Sequence, residues 1–153
     1  MANLKSKATT ITISVFLMFA MAISLVALPN ANAQTATKTY AFIGATPNPV
    51  GVGQQVLLHV GISQQTFTTY QSWTGLSVTI TDPDGHETTI DDLTTDATGG
   101  TGTNFTPDTV GTYELQSHFP AQSLDIYTFW GTIAGSQDFA ASDSDVLELV
   151  VQE

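Results

Sequence analysis

The chain has 153 residues, contains no cysteine and carries a formal net charge of −11. Without cysteine, disulfide bonds, a thiolate nucleophile and a blue-copper site are all excluded. Only three basic residues, all of them lysine, stand against 14 acidic residues. Such a surface repels phosphate backbones, so we expect no nucleic-acid partner.

Residues 1–33 have the pattern of a secretory signal helix. A start containing two lysines is followed by an uncharged apolar run over residues 11–28, and Ala31 and Ala33 form a small-x-small cleavage site. We expect cleavage before Gln34 and a secreted or cell-surface protein. The alternative is an uncleaved anchor, because about 18 apolar residues can just span a bilayer. We expect no other attachment to a membrane.

Residues 34–153 have the length of one domain and a strand-like pattern throughout. Apolar and polar residues alternate, glycine, proline, asparagine and aspartate interrupt them at short intervals, and no helical period appears. The pattern predicts an all-β, antiparallel sandwich of about seven strands. The expected strands cover residues 39–45, 55–62, 76–81, 86–90, 103–106, 112–119 and 146–152. Residues 120–145 show no clear alternation.

Two turns are recognisable from their residues. Asp82-Pro83-Asp84-Gly85 joins two strands, because proline presets φ, aspartate caps the backbone and glycine accepts a positive φ. The stretch from Asp108 through Gly111 to Tyr113 is typical of a tyrosine corner, in which the tyrosine hydroxyl bonds to backbone just upstream. We therefore expect Asp108, Gly111 and Tyr113 to be structural residues.

Five stretches can be compared with known domains: Pro47-Asn48-Pro49, Gly53 to Val56, Asp82 to Gly85, Thr106 to Tyr113 and Leu147 to Val151. Together they resemble secreted prokaryotic immunoglobulin-like modules, and the likeness covers most of residues 38–152. It is greatest to the module placed before β-propeller repeats in some archaeal exported proteins, and more distant to macroglobulin-type domains. The resemblance implies an immunoglobulin-like fold and a role in holding, presenting or binding.

Histidine and acidic residues are the candidate metal ligands. His59 and His118 face away from the predicted cores of their strands, which places them on opposite outer surfaces, so we expect no bound transition metal. Aspartate-rich loops could supply the several oxygens that Ca²⁺ requires, although turn formation and solvation also explain these acids. The Ca²⁺ candidates are Asp82, Asp84, Glu87, Asp91 and Asp92. We expect no other cofactor.

No arrangement of residues typical of an enzyme is visible in the sequence. The chain has no serine in a nucleophile elbow, and its histidines are dispersed. We therefore expect a noncatalytic domain that acts in adhesion, cell-surface assembly or ligand presentation, with an extracellular protein or glycan as partner. The alternative is an accessory module that binds Ca²⁺ or carbohydrate. Asn104-Phe105-Thr106 is a sequon for N-glycosylation, with Asn104 expected to point outward and Phe105 inward.

Aromatic residues concentrate in two stretches outside the clear strands, residues 63–74 and 122–142. Loops that recognise partners concentrate such side chains, which makes Phe67, Tyr70 and Phe129 candidate recognition residues. The competing interpretation is that these rings close the ends of the sandwich. For the two tryptophans, Trp73 and Trp130, we expect a place in the core.

Overall fold

The computed structural model describes residues 35–153; the expected signal segment lies outside the described residues. Within this range the protein is all-β, with eleven strands and no helix. The strands are β1 (Ala41–Thr46), β2 (Val50–Gly51), β3 (Val56–Ile62), β4 (Leu76–Thr81), β5 (Glu87–Leu93), β6 (Gly100–Phe105), β7 (Gly111–Phe119), β8 (Gln122–Tyr127), β9 (Ile133–Phe139), β10 (Ser142–Asp143) and β11 (Leu147–Gln152). Residues 35–153 therefore contain no helix with the length and hydrophobicity that a membrane crossing requires.

The strands form three sheets. The first has the order β1-β3-β6, and the second has the order β2-β11-β7-β4-β5 with the short β10 also paired to β7. The third is the β8–β9 hairpin. Pairing is antiparallel within these sheets except between β2 and β11. Several antiparallel sheets around a common core are consistent with the predicted β-sandwich.

The core follows the alternation in the sequence. Along β3, Val56, Leu58 and Val60 are fully buried, whereas Leu57 and His59 between them are exposed. β4, β7 and β11 repeat this pattern, since successive side chains of a strand point to opposite faces. Fully burying each large apolar side chain contributes about 1.5–3 kcal/mol relative to leaving it exposed. This repeated burial stabilises the packing of the sheets against one another.

All seven predicted strands are present, and β4 has the predicted bounds. The largest shifts are of three residues: β6 begins at Gly100 instead of Thr103, and β5 continues to Leu93 instead of ending at Ile90. A bulge permits this extension, because the pairing register changes between Leu76 and Val78 and leaves Asp91 and Asp92 without one-to-one partners. Asp92 has φ +58° there. Aspartate tolerates this left-handed conformation better than most residues, which suits it to a bulge.

Three strands occur where the sequence predicted none, in residues 120–145. β9 was missed because its first four residues, from Ile133 to Ser136, are exposed on both faces and so show no alternation. In β8, Leu124 is buried, and in β9 the first buried side chain is Phe139 at its end. β8 and β9 thus form a hairpin that is attached to the core at its base.

Candidate functional site

The base of the β8–β9 hairpin is packed into the core around Trp73. The Trp73 ring lies edge-to-face against Phe139, with centroids 4.8 Å apart, and against Phe119 at 5.5 Å. Its indole N–H donates to the carbonyl of Gln64 at 2.7 Å. The prediction that Trp73 belongs to the core is confirmed, since its side chain is fully buried. Trp73 joins the 63–74 loop to the hairpin through the core.

The N-terminal residues of the described chain run along the base of the hairpin. The amide of Thr37 donates to the carbonyl of Asp138 at 2.8 Å, and the amide of Ala140 donates to the carbonyl of Thr37 at 2.9 Å. The side-chain amide of Gln137 also donates to Thr37 Oγ1, at 2.6 Å. These bonds hold β9 from the side opposite β8.

Two glutamines tie the 63–74 loop to the hairpin. Gln71 Nε2 donates to the carbonyl of Asp125 in β8 at 2.8 Å, while its Oε1 accepts from the amide of Thr68 at 3.1 Å. Gln122, at the start of β8, donates to the carbonyl of Thr74 at 3.1 Å and accepts from its amide at 3.4 Å. The loop and hairpin are thereby held side by side.

The tip of the hairpin is a tight turn between Thr128 and Thr132. The amide of Thr128 donates to the carbonyl of Thr132 at 2.7 Å, and the amide of Gly131 donates to the carbonyl of Thr128 at 2.9 Å. Gly131 takes φ +75°, a conformation that glycine adopts without a steric penalty. The two remaining turn residues, Phe129 and Trp130, are therefore fixed in place at the tip.

Phe129 and Trp130 project from this turn into solvent. They are 94% and 85% exposed and contact each other edge-to-face, with centroids 5.3 Å apart. The prediction that Trp130 lies in the core is wrong, because the strands on either side of the turn carry it beyond the sandwich. Large apolar side chains at the outermost positions of a turn gain little from folding, and such exposed surface commonly marks an interaction site.

A groove lies between the hairpin and the 63–74 loop. Tyr70 and Gln71 line one side, Tyr127, Thr128 and Phe129 line the other, and the groove has a volume of about 410 Å³. Tyr70 is 98% exposed. We refer to Tyr70, Tyr127, Phe129 and Trp130, together with this groove, as the aromatic end.

The structure separates the three candidate recognition residues. Tyr70 and Phe129 belong to the aromatic end, whereas Phe67 is half exposed and its ring lies 6.1 Å from that of Phe139 at the hairpin base. Phe67 therefore combines a solvent-facing edge with a contact to the core.

The two strand histidines lie on different sheets, in β3 and β7. His59 is exposed on the first sheet. His118 is half-buried on the second, where its Nδ1 lies 2.8 Å from Asp143 Oδ1 and its Nε2 lies 3.0 Å from Thr79 Oγ1. β4 pairs on both sides, so its backbone N–H groups beside Thr79 are engaged in the ladders. The Thr79–His118–Asp143 chain connects β4, β7 and β10 on the outer face.

The five Ca²⁺ candidates do not meet at one place. Asp82 and Asp84, with His86, have ligand atoms within 4.8 Å of one another at the β4–β5 turn, where Glu87 begins β5. Asp91 and Asp92 lie near the other end of β5, beside the partner of Leu76, roughly 15 Å away at about 3.3 Å per residue.

Asp82 already has partners within its own turn. Its Oδ1 accepts from the amides of Asp84 at 2.9 Å and His86 at 2.8 Å, and its Oδ2 lies 3.0 Å from the His86 ring. Hydrogen bonding, first from the His86 amide, lowers the pKa of Asp82 from its usual value. Formation of the turn is a sufficient explanation for this acid.

The Tyr113 hydroxyl makes the upstream contact expected of a tyrosine corner. It accepts from the amide of Thr109 at 3.1 Å and lies 3.2 Å from Asp108 Oδ1, to which it donates. Gly111 has φ +144°, and a Cβ there would lie 2.7 Å from Cγ of Pro83. Asp108 and Tyr113 thus fix the chain at the start of β7, and Gly111 allows that strand to approach Pro83 in the β4–β5 turn.

Asn104 is exposed on β6, at an edge of the first sheet, and its cross-strand neighbour is Leu57. Phe105 is partly buried against the core, with its ring centroid 5.6 Å from that of Tyr113. The side chain of Asn104 therefore lies where a glycan could be accommodated.

Comparisons of the chain with protein-family models, with curated proteins and with solved structures found no match.

Proposed function

We propose that this chain is an exported, noncatalytic domain that acts in adhesion, cell-surface assembly or ligand presentation through its aromatic end. The observation that carries the proposal is the near-complete exposure of Tyr70, Phe129 and Trp130, at 98%, 94% and 85%. These side chains stand on two segments that Trp73 anchors to the core and that Gln71 ties to each other. A stable scaffold that carries exposed aromatic residues on its connections is a common arrangement for binding.

We assign the fold to the immunoglobulin-like sandwiches. Support comes from the strand orders β1-β3-β6 and β11-β7-β4, which correspond to strands A-B-E and G-F-C of that fold, and from the Tyr113 contact at the start of the F-like strand β7. The β8–β9 hairpin then falls within the F–G connection, one of the connections that carry specificity in variable immunoglobulin domains. Export is supported by the signal pattern of residues 1–33.

The absence of catalysis is part of the proposal and rests on the arrangement of side chains. Thr79, His118 and Asp143 have the bonding order of a hydroxyl, an imidazole and a carboxylate, but Thr79 lies in the middle of a paired strand. The aromatic groove is lined without histidine or carboxylate side chains. Both the Thr79–His118–Asp143 chain and the aromatic groove are therefore consistent with a domain that binds without catalysing a reaction. The alternative function is an accessory module that binds Ca²⁺ or carbohydrate. A Ca²⁺-binding module predicts that Ca²⁺ raises the melting temperature and that Asp82→Asn and Asp84→Asn abolish this rise.

Binding to the surface of the producing cells tests the proposal. We expect the purified chain to bind washed cells, and the Tyr70→Ala and Phe129→Ala variants to bind at least tenfold more weakly with unchanged melting temperatures. Tyr40→Ala is the matched control, because Tyr40 is 59% exposed but does not line the groove. Equal binding by all three variants and the wild type would show that the aromatic end is not the adhesive surface.

A further inference from the structure

The aromatic end is uncharged in a strongly acidic protein. Residues 63–74 and 126–137 contain no Asp, Glu, Lys or Arg, although the whole chain carries 14 acidic residues. Asp125 and Asp138 border the second stretch, and the carbonyl of Asp125 accepts a hydrogen bond from Gln71, which lines the groove. Within residues 35–153, charge is thus missing from the surface where large aromatic side chains are most exposed.

The groove combines aromatic rings with neutral hydrogen-bonding groups. Tyr70, Tyr127 and Phe129 supply the rings. Thr68 and Thr128 supply hydroxyls beside them, which already bond to Gln71 Oε1 at 3.3 Å and to Thr132 Oγ1 at 2.6 Å but keep a free lone pair that can accept from a ligand. Its volume of about 410 Å³ is within the range of about 300–1,000 Å³ typical of sites for small ligands. Sites of this kind are largely apolar and contain a few polar groups that fix the orientation of the ligand.

We propose that the groove binds a neutral oligosaccharide, which deepens and rests on the proposed function. A sugar ring has an apolar C–H face and a rim of hydroxyls, so it can stack on Tyr70, Tyr127 or Phe129 while its hydroxyls bond to the threonine and amide side chains. The rings offer large contact area with few rotatable bonds, which keeps the entropic cost of binding low. The ligand is therefore recognised by stacking and neutral hydrogen bonds.

Charge selects against acidic sugars. No lysine or arginine lines the groove, so a uronate carboxylate or a sulfate would find no cationic partner there. The net charge of −11 of the chain also repels anions at a distance. An anionic bilayer is disfavoured for the same reason, because surfaces that bind one commonly present clustered Lys and Arg.

Binding of defined oligosaccharides to the full chain tests the inference. The probes are hexamers of glucose, mannose, galactose, xylose and N-acetylglucosamine, with oligogalacturonate of equal length as the anionic counterpart, each titrated by calorimetry. We expect at least one neutral hexamer to bind and oligogalacturonate to bind at least tenfold more weakly. Tyr70→Ala and Phe129→Ala should each raise the Kd for the neutral sugar at least tenfold, and Tyr40→Ala should leave it unchanged.

The outcomes separate the inference from the proposed function. If no neutral hexamer binds, or if oligogalacturonate binds as tightly, the inference is wrong. Should the cells nevertheless retain the wild-type chain and release the Tyr70→Ala variant, the proposed function stands and the partner is a protein or another surface. Association of two copies, or adsorption to phosphatidylcholine vesicles, that is lost in Phe129→Ala while no sugar binds would likewise overturn the inference.

Discussion

The base and the tip of the β8–β9 hairpin both carry a phenylalanine, but in opposite environments. At the base, Phe139 is 3% exposed and packs against Trp73, whereas at the tip Phe129 is 94% exposed and contacts Trp130. Both phenylalanines follow polar residues in the sequence. The difference arises from tertiary placement, because the base lies over the core and the tip extends past it. Stability is therefore expected to reside in the base and recognition in the tip.

Truncation at the base is the strongest test of this comparison. Phe139→Ala removes a buried ring that contacts Trp73 and Phe67, so we expect a loss of about 3–5 kcal/mol in the free energy of unfolding. Denaturant unfolding measures it. A midpoint equal to that of the wild type would mean that the hairpin is not anchored to the core and that the base and tip do not differ.

A second test concerns the tyrosine corner, at the far end of β7 from the hairpin. Gly111→Val places a branched side chain at φ +144°, with its Cβ 2.7 Å from Pro83 Cγ, and we expect a loss of about 1–3 kcal/mol. The corner lies about 26 Å from the hairpin base at about 3.3 Å per residue along β7. Binding at the aromatic end should therefore be unchanged in molecules that remain folded. Weakened binding by the folded variant would show that the two regions are coupled.

Removing one hydroxyl at the same corner should have a smaller effect. Tyr113→Phe deletes the acceptor of the Thr109 amide and the bond to Asp108, so we expect a loss of about 1 kcal/mol, the net scale of a hydrogen bond. Chemical denaturation of the variant beside the wild type measures it. An unaltered denaturation midpoint would show that these hydrogen bonds of the corner do not contribute to the stability of the fold.

The loop from Asp96 to Gly100 is hydrogen-bonded to the 63–74 loop, and an acid within it makes the stability of this region depend on pH. Asp96 Oδ1 accepts from Thr98 Oγ1 at 2.6 Å and from the Thr98 amide at 2.8 Å, and these bonds lower the pKa of Asp96 below its usual 3.8. A lowered pKa stabilises the fold above pH 3.8, and this contribution is lost as the pH falls through the folded-state value.

Asp96→Asn should therefore be less stable than the wild type at pH 6, and the difference should shrink below pH 3.8. Melting temperatures from pH 2 to pH 6 measure it, with Asp145→Asn as an exposed acidic control. A difference that stays constant with pH would show that ionisation of Asp96 does not contribute to stability.

The sequence predicted the all-β, antiparallel fold well because alternation and turn chemistry are local signals. Val56 to Ile62 alternate visibly, and the Asp82 to Gly85 turn is encoded by its own residues. The hairpin escaped prediction because the residues at the start of β9 face solvent on both sides. The position of Trp130 depends on how far that hairpin extends, which no local pattern records. Tyr70 and Phe129 were identified as candidates from composition, but the Gln71 bond that places them across one groove comes from the fold alone.

Substitution at the tip should have the smallest effect on stability and is the counterpart of truncation at the base. Phe129→Ser and Trp130→Ser replace side chains that are 94% and 85% exposed, and surface changes of this kind usually stay within about 0.5 kcal/mol. The turn itself is closed by the backbone bonds of Thr128 with Gly131 and Thr132, which both variants retain. We expect an unchanged denaturant midpoint together with weaker binding to the cell surface. A loss of stability near that expected for Phe139→Ala would show that the tip packs in the core and is not a recognition surface. A side chain that contributes so much to stability cannot be almost fully in contact with water.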